Sequence, residues 1–175
     1  FVVRAGNGLH PDLLPLINEK LAPFYYGVAS GDPGQNSVVI WTKLVADTTQ
    51  KLLVQWQIAT DTLMQQIAQQ GQAETDYRSN FTVKVTVKKL QPGQTYYYRF
   101  IHNKAVSPVG RTKTAPQTAS ELRFAVVSCA NYEAGYFNAY QLLASRNDVD
   151  AVIHLGDYIY EYSRGSYGRN DATRA

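Results

Sequence analysis

Between Phe24 and Pro116 the chain is written in short alternations broken by turn residues. Phe81, Val83, Val85 and Val87 alternate with Thr82, Lys84, Thr86 and Lys88, a period of two that predicts a half-buried strand. Leu52, Val54, Trp56 and Ile58 alternate with Leu53, Gln55, Gln57 and Ala59, which predicts a second such strand with Trp56 toward the core. Val38, Val39, Ile40 and Trp41 are β-branched and aromatic and predict a strand over residues 37–44. Tyr96, Tyr97, Tyr98 and Phe100 predict another over residues 95–101, and residues 106–114 read as one last strand closing at Pro116. The apolar, aromatic run of residues 24–30 stops at Gly31-Asp32-Pro33-Gly34, a turn cluster in which Asp32 is a turn residue. Residues 61–70 are ambiguous, because Leu63, Met64, Ile67 and Ala68 fit a helix as well as a strand; the segment is read as a twisted edge strand. Some seven short strands with turns between them predict a β-sandwich over residues 24–116. Residues 1–23 read as an N-terminal arm with a helix-compatible run from residue 13 to 21.

After Pro116 the pattern changes. Residues 122–128 (Leu-Arg-Phe-Ala-Val-Val-Ser) are nearly continuous in apolar character, as a buried parallel strand would be. Phe137, Tyr140 and Ala144, with Leu143 beside it, follow at helical spacing, and residues 151–155 form a second buried run. Strand, helix and strand in that order predict a βαβ unit in residues 117–175. The fold class expected is therefore an all-β sandwich, fibronectin type III-like, followed by an α/β segment.

Composition agrees and narrows the function. The 175 residues are 45% hydrophobic and 18% charged, ordinary for a globular chain. No run approaches the roughly 18 apolar residues of a membrane helix, so no membrane span is expected. One cysteine excludes a disulfide framework and a cysteine-rich zinc module. Net charge is +3 in all; residues 1–116 carry 12 basic and 7 acidic side chains, residues 117–175 carry 5 and 7. The basic excess is scattered, with Lys88-Lys89 the only adjacent pair, so nucleic-acid-specific binding is not expected. The chain begins at Phe1 with no apolar leader, which predicts a processed product or a piece of something longer.

Two polar clusters fall at the carboxyl ends of the predicted parallel strands, where open α/β sheets bind ligands: Cys129-Ala130-Asn131 and Gly156-Asp157-Tyr158. If the strands are neighbours, Cys129 and Asp157 lie about 5–10 Å apart, strands being spaced about 4.8 Å. A thiolate, a carboxylate and the phenol of Tyr160 form a mixed hard and soft anionic set suited to a strongly Lewis-acidic metal. The plainer readings stay open: Cys129 as a small buried hydrophobe, Asp157 as a turn cap, Tyr160 as a packing aromatic. Asn131 and Glu133 fit either substrate contact or helix capping. His154, mid-strand in an apolar run, reads as structural, and the Asn80-Phe81-Thr82 glycosylation pattern as accidental.

Several runs resemble the alkaline phosphatase D family: Phe24-Tyr25-Tyr26-Gly27-Val28-Ala29-Ser30-Gly31-Asp32-Pro33 with Val39-Ile40-Trp41-Thr42, the stretch from Ser128 to Tyr140, and His154-Leu155-Gly156-Asp157-Tyr158-Ile159-Tyr160-Glu161. Leu90-Gln91-Pro92-Gly93-Gln94-Thr95-Tyr96-Tyr97-Tyr98 resembles the turn and strand of fibronectin type III domains that carry a corner tyrosine. The family resemblance implies a secreted or periplasmic, metal-dependent phosphatase or phosphodiesterase that attacks phosphate mono- or diesters with a metal-activated water. It implies iron(III) (Fe3+) held by Cys129, Asp157 and Tyr160, with Asp157 also bridging to calcium (Ca2+). Catalytic side chains and substrate-binding residues are not assigned by it.

The family's remaining ligands, an asparagine–histidine pair and later histidines and aspartates, have no counterpart in the 18 residues after Asp157, which contain no histidine. The chain is therefore expected to be an amino-terminal portion whose partner is the rest of the same protein, inactive alone. The alternative is a fibronectin-like binding or spacer module with no catalysis.

Overall fold

The period-two runs become strands because β-branched and aromatic side chains fit a pleated surface with one face wet and one face packed. The computed structural model describes residues 18–131 and 137–160. The chain divides between Thr118 and Ala119 into two units. In the first lie β1 (Val28–Gly31), β2 (Val38–Lys43), β3 (Leu52–Ala59), β4 (Ile67–Thr75), β5 (Thr82–Val87), β6 (Thr95–His102), β7 (Ala105–Val106) and β8 (Gly110–Lys113). One antiparallel sheet runs β1-β2-β5; the other runs β4-β3-β6-β7, with β8 also on β6. This is the expected fibronectin type III-like sandwich.

Register carries the alternation into the core. Ile40 stands opposite Val85 and Thr42 opposite Val83 in one sheet; Trp56 stands opposite Phe100 and Ile58 opposite Tyr98 in the other. Phe24, Phe81, Tyr96, Tyr98 and Phe100 are the largest members of one buried cluster, which also holds Ile40 and Ile58. Each such side chain contributes about 1.5–3 kcal/mol on burial, so this cluster dominates stability. The buried Thr42 hydroxyl donates to the Gly27 carbonyl at 2.7 Å, so it costs no unsatisfied group. The corner tyrosine is Tyr96, whose hydroxyl accepts the Gln91 N–H at 2.9 Å.

The boundaries differ from expectation in five places. The aromatic run at 24–30 is strand only from Val28; Phe24 is a buried anchor in a turn that passes through Gly27 at φ +68°. Phe81 is likewise buried but precedes β5, at φ 53° after the left-handed Asn80. In the 61–70 segment, only Ile67 onward is strand, and that strand continues to Thr75. Before it, the Asp61 carboxylate accepts the N–H groups of Gln65 and Gln66, folding a turn that drives Met64 inward at φ 57°. The single strand expected over 106–114 is two, β7 and β8, because Pro108 has no N–H to give a ladder. Ser107 bridges the gap: its N–H donates to the Phe100 carbonyl and its Oγ accepts the Phe100 N–H, both at 2.9 Å. Of the N-terminal helix-compatible run, residues 13–17 lie outside the described residues, and Glu19–Leu21 is one 3-10 turn.

The second unit contains β9 (Phe124–Val127), α1 (Asn138–Ser145) and β10 (Ala151–His154), with β9 and β10 parallel. This is the expected βαβ unit. Phe137, not Asn131, occupies the N-cap position of α1, and its side chain makes no capping hydrogen bond; Glu133 lies outside the described residues. Ala151 pairs with Phe124 and His154 with Val127. Val126 and Ile153, also paired, share one face and are 58% and 44% exposed. No described residue from 119 to 160 is buried. At the amino-terminal end of the strands, Asp148 binds Arg146 at 2.6 Å and Arg123 at 3.5 Å. The Arg146 hydrogen bond is the main reason the Asp148 carboxyl is held down to a pKa of about 2. Among the described residues no helix is long and apolar enough to cross a membrane.

Candidate metal centre

Backbone pairing between β9 and β10 continues past the strands themselves. Leu155 N–H donates to the Val127 carbonyl at 2.8 Å, Cys129 N–H to Gly156 at 3.2 Å, and Ala130 N–H to Asp157 at 2.8 Å. Two polar turns are thereby zipped side by side at the carboxyl ends of adjacent parallel strands. Cys129 and Asp157 both leave their strands in the left-handed region, at φ 63° and 53°. For non-glycine residues that conformation costs on the order of 1–3 kcal/mol each and persists only where surrounding contacts enforce it.

The consequence is contact between the side chains. Cys129 Sγ lies 3.5 Å from Asp157 Oδ2 across 28 residues of sequence, closer than the strand spacing alone suggests. Cys129 is exposed, which overturns its reading as a buried hydrophobe. Asp157 is exposed as well, and Tyr160, three residues on, is half-buried. A sulfur and an oxygen bound to one cation at roughly 2.3 and 2.1 Å stand about 3.1–3.6 Å apart, so the observed pair fits two neighbouring positions of one coordination shell. Among the described residues no three His, Cys, Asp or Glu side chains gather into a metal-binding group. The donors brought together here are therefore the thiol and one carboxylate, with the Tyr160 phenol following in the same turn segment.

His154, read from sequence as structural, faces the helix. Its Nε2 lies 3.0 Å from the Tyr140 hydroxyl, its ring stacks on Tyr140 with centroids 6.2 Å apart, and Tyr158 meets it edge-on at 5.1 Å. The Gly156 N–H donates to its Nδ1 at 3.2 Å, and the Tyr140 hydroxyl donates to the Ser128 carbonyl at 3.3 Å. The sequence placed Tyr140 at helical spacing and at the end of the family-like stretch from Ser128. Its contact with a strand-end carbonyl had no signal beyond its place in the helix period.

Residues 16–116 match the family described as PhoD-like phosphatase, N-terminal domain, and residues 124–175 match PhoD-like phosphatase. The chain is 41% identical over 155 residues to alkaline phosphatase D of Bacillus subtilis (strain 168), covering 83% of this chain and 26% of that protein. A solved structure described as the structure of PhoD superposes with a TM-score of 0.75 at 40% identity, covering 83% of this chain and 30% of the other. The chain thus spans about a quarter to a third of the length of the relatives it matches.

Proposed function

The chain belongs to the PhoD-like phosphatase family, and from that premise we propose that it supplies the amino-terminal share of an alkaline phosphatase or phosphodiesterase. In this reading Cys129, Asp157 and Tyr160 are metal ligands. The observation that carries it is the 3.5 Å approach of a thiol and a carboxylate at the carboxyl ends of two adjacent parallel strands. Both residues hold left-handed backbone although neither side chain is buried in a core. A thiolate and a phenolate suit iron(III), and a carboxylate, with two oxygens to share between ions, suits a second, harder ion such as calcium. When bound, such ions neutralise phosphate oxygens and activate water for attack on the ester.

The chain's own contribution is to present the thiol, the carboxylate and the phenol from one polar edge. Cys129 and Asp157 are held by backbone hydrogen bonds to each other's turn, so one cannot shift without the other. The substrate class is a phosphate mono- or diester, and the same reading carries a secreted or periplasmic location. The alternative, a fibronectin-like binding or spacer module, draws on one observation: every buried described residue belongs to the sandwich.

The test is substitution in the full-length protein. Cys129→Ser, Asp157→Asn and Tyr160→Phe are expected to lower turnover of p-nitrophenyl phosphate or its bis-ester by at least about 10–100-fold. Each should also release metal to a chelator, and Tyr160→Phe should shift or bleach any visible thiolate or phenolate absorption. Full activity and unchanged metal content in all three variants would leave the spacer reading standing.

A further inference from the structure

We propose that His154 and Tyr140 are positioning residues: a one-way hydrogen-bond chain through them fixes the two turns that present Cys129 and Asp157. The inference rests on the metal-site reading above, but its geometry is independent of it.

The direction of the chain follows from what each group has to give. A backbone N–H only donates, so the Gly156 N–H at 3.2 Å makes His154 Nδ1 an acceptor without a proton. The neutral ring then carries its proton on Nε2, which donates to the Tyr140 hydroxyl at 3.0 Å. That leaves the hydroxyl's own proton for the Ser128 carbonyl at 3.3 Å. Every donor has one acceptor, and no other arrangement of the protons satisfies all three contacts. Ser128 immediately precedes Cys129, and Gly156 immediately precedes Asp157. The chain therefore grips both turns one residue before their left-handed donors, where the backbone needs outside support to keep φ positive. Phe137, edge-on to Tyr140 at 5.6 Å, and Tyr158 on His154 hold the rings in place. None of this is accounted for by core packing, since His154 and Tyr140 are only half-buried.

The experiment separates the links. Tyr140→Phe keeps the ring stack and removes only the hydroxyl. His154→Asn keeps an acceptor at the Nδ1 position for Gly156 and drops the link to Tyr140. In this chain, Cys129 is the single thiol, so its alkylation rate by iodoacetamide reports the turn directly and without metal. Both variants are expected to change that rate several-fold while leaving the urea midpoint of the sandwich unmoved, and the double variant is expected to be no worse than the worse single. In the full-length protein, both should lower metal retention during chelator dialysis about 10-fold. Alkylation rates and metal retention equal to those of the parent in both variants overturn the inference; if His154→Asn does not fold, Tyr140→Phe alone decides. Metal retention intact in Asp157→Asn and Cys129→Ser overturns the metal reading instead, and the positioning role then stands or falls on alkylation.

Discussion

Tyr98 lies across Gly110, its neighbour on β8: a Cβ added at Gly110 would sit 2.4 Å from the Tyr98 Cζ. The ring is buried and part of the core, so it has nowhere to retreat. Gly110→Ala is expected to destabilise the sandwich by about 1–3 kcal/mol, the range for overpacking a filled site. Gly31→Ala, with open space around its position, should change stability by no more than about 0.5 kcal/mol. Urea midpoints of the two variants measure the contrast, and equal losses would mean the ring moves aside. Burial also pushes the Tyr98 hydroxyl above the ordinary tyrosine value. The unfolded chain then loses this proton first, so from about pH 10 upward stability falls with rising pH. Tyr98→Phe removes that contribution, and its stability relative to the parent is expected to improve between pH 8 and 11. The aromatic identity of Tyr98 and its place in a strand were plain in the sequence. Its glycine partner was not, because the two meet only through strand register.

Between β3 and β4, the turn is closed by one acid. The Asp61 carboxylate takes the backbone N–H groups of Gln66 and Gln65, and these bonds hold its pKa below the usual carboxylate value. A lowered folded value means stabilisation that is present above the unfolded pKa of about 3.9 and is lost as pH falls through the folded one. Asp61→Ala is therefore expected to lower the urea midpoint at pH 7, with the gap to the parent closing toward pH 2. A gap that persists in acid would assign the loss to something other than the charged cap. The strands with clean alternation, β3 and β5, were legible because a period of two is a local property of the chain. The turn was not, since Leu63 and Met64 read as apolar strand or helix positions while an acid two or three residues earlier decides their backbone. The split between β7 and β8 was missed although Pro108 stood in the run. Ser107 supplies the bridge with its hydroxyl, and that substitution of side chain for backbone leaves no pattern.

At the scale of the whole chain, burial is concentrated in one unit. Every fully buried described residue lies before residue 119, and the paired Val126 and Ile153 of the βαβ unit stay exposed. Local opening costs least where few apolar side chains are buried. Amide hydrogens of β2, β3, β5 and β6 are expected to exchange slowest, close to the global limit, and those of β9 and β10 orders of magnitude faster. Comparable protection in both sets would show that the second unit closes a core of its own. The isolated 175-residue chain, with metals supplied, is also expected to show no metal-dependent turnover of p-nitrophenyl phosphate, because the described residues gather only one thiol and one carboxylate. Turnover near that of a full-length family member would mean the site is complete within these residues. Sequence alone determined that β3 and β5 are strands with one wet face, and that a thiol and an acid each follow an apolar run, because each of these depends on neighbours a few positions away. Only the tertiary structure decided that Cys129 touches Asp157, that Tyr98 covers Gly110, and that His154 and Tyr140 tie two turns together. Those contacts depend on strand and helix pairing and register across 12 to 28 residues, and the energy that selects them is spread over the packed elements, not written in any one segment.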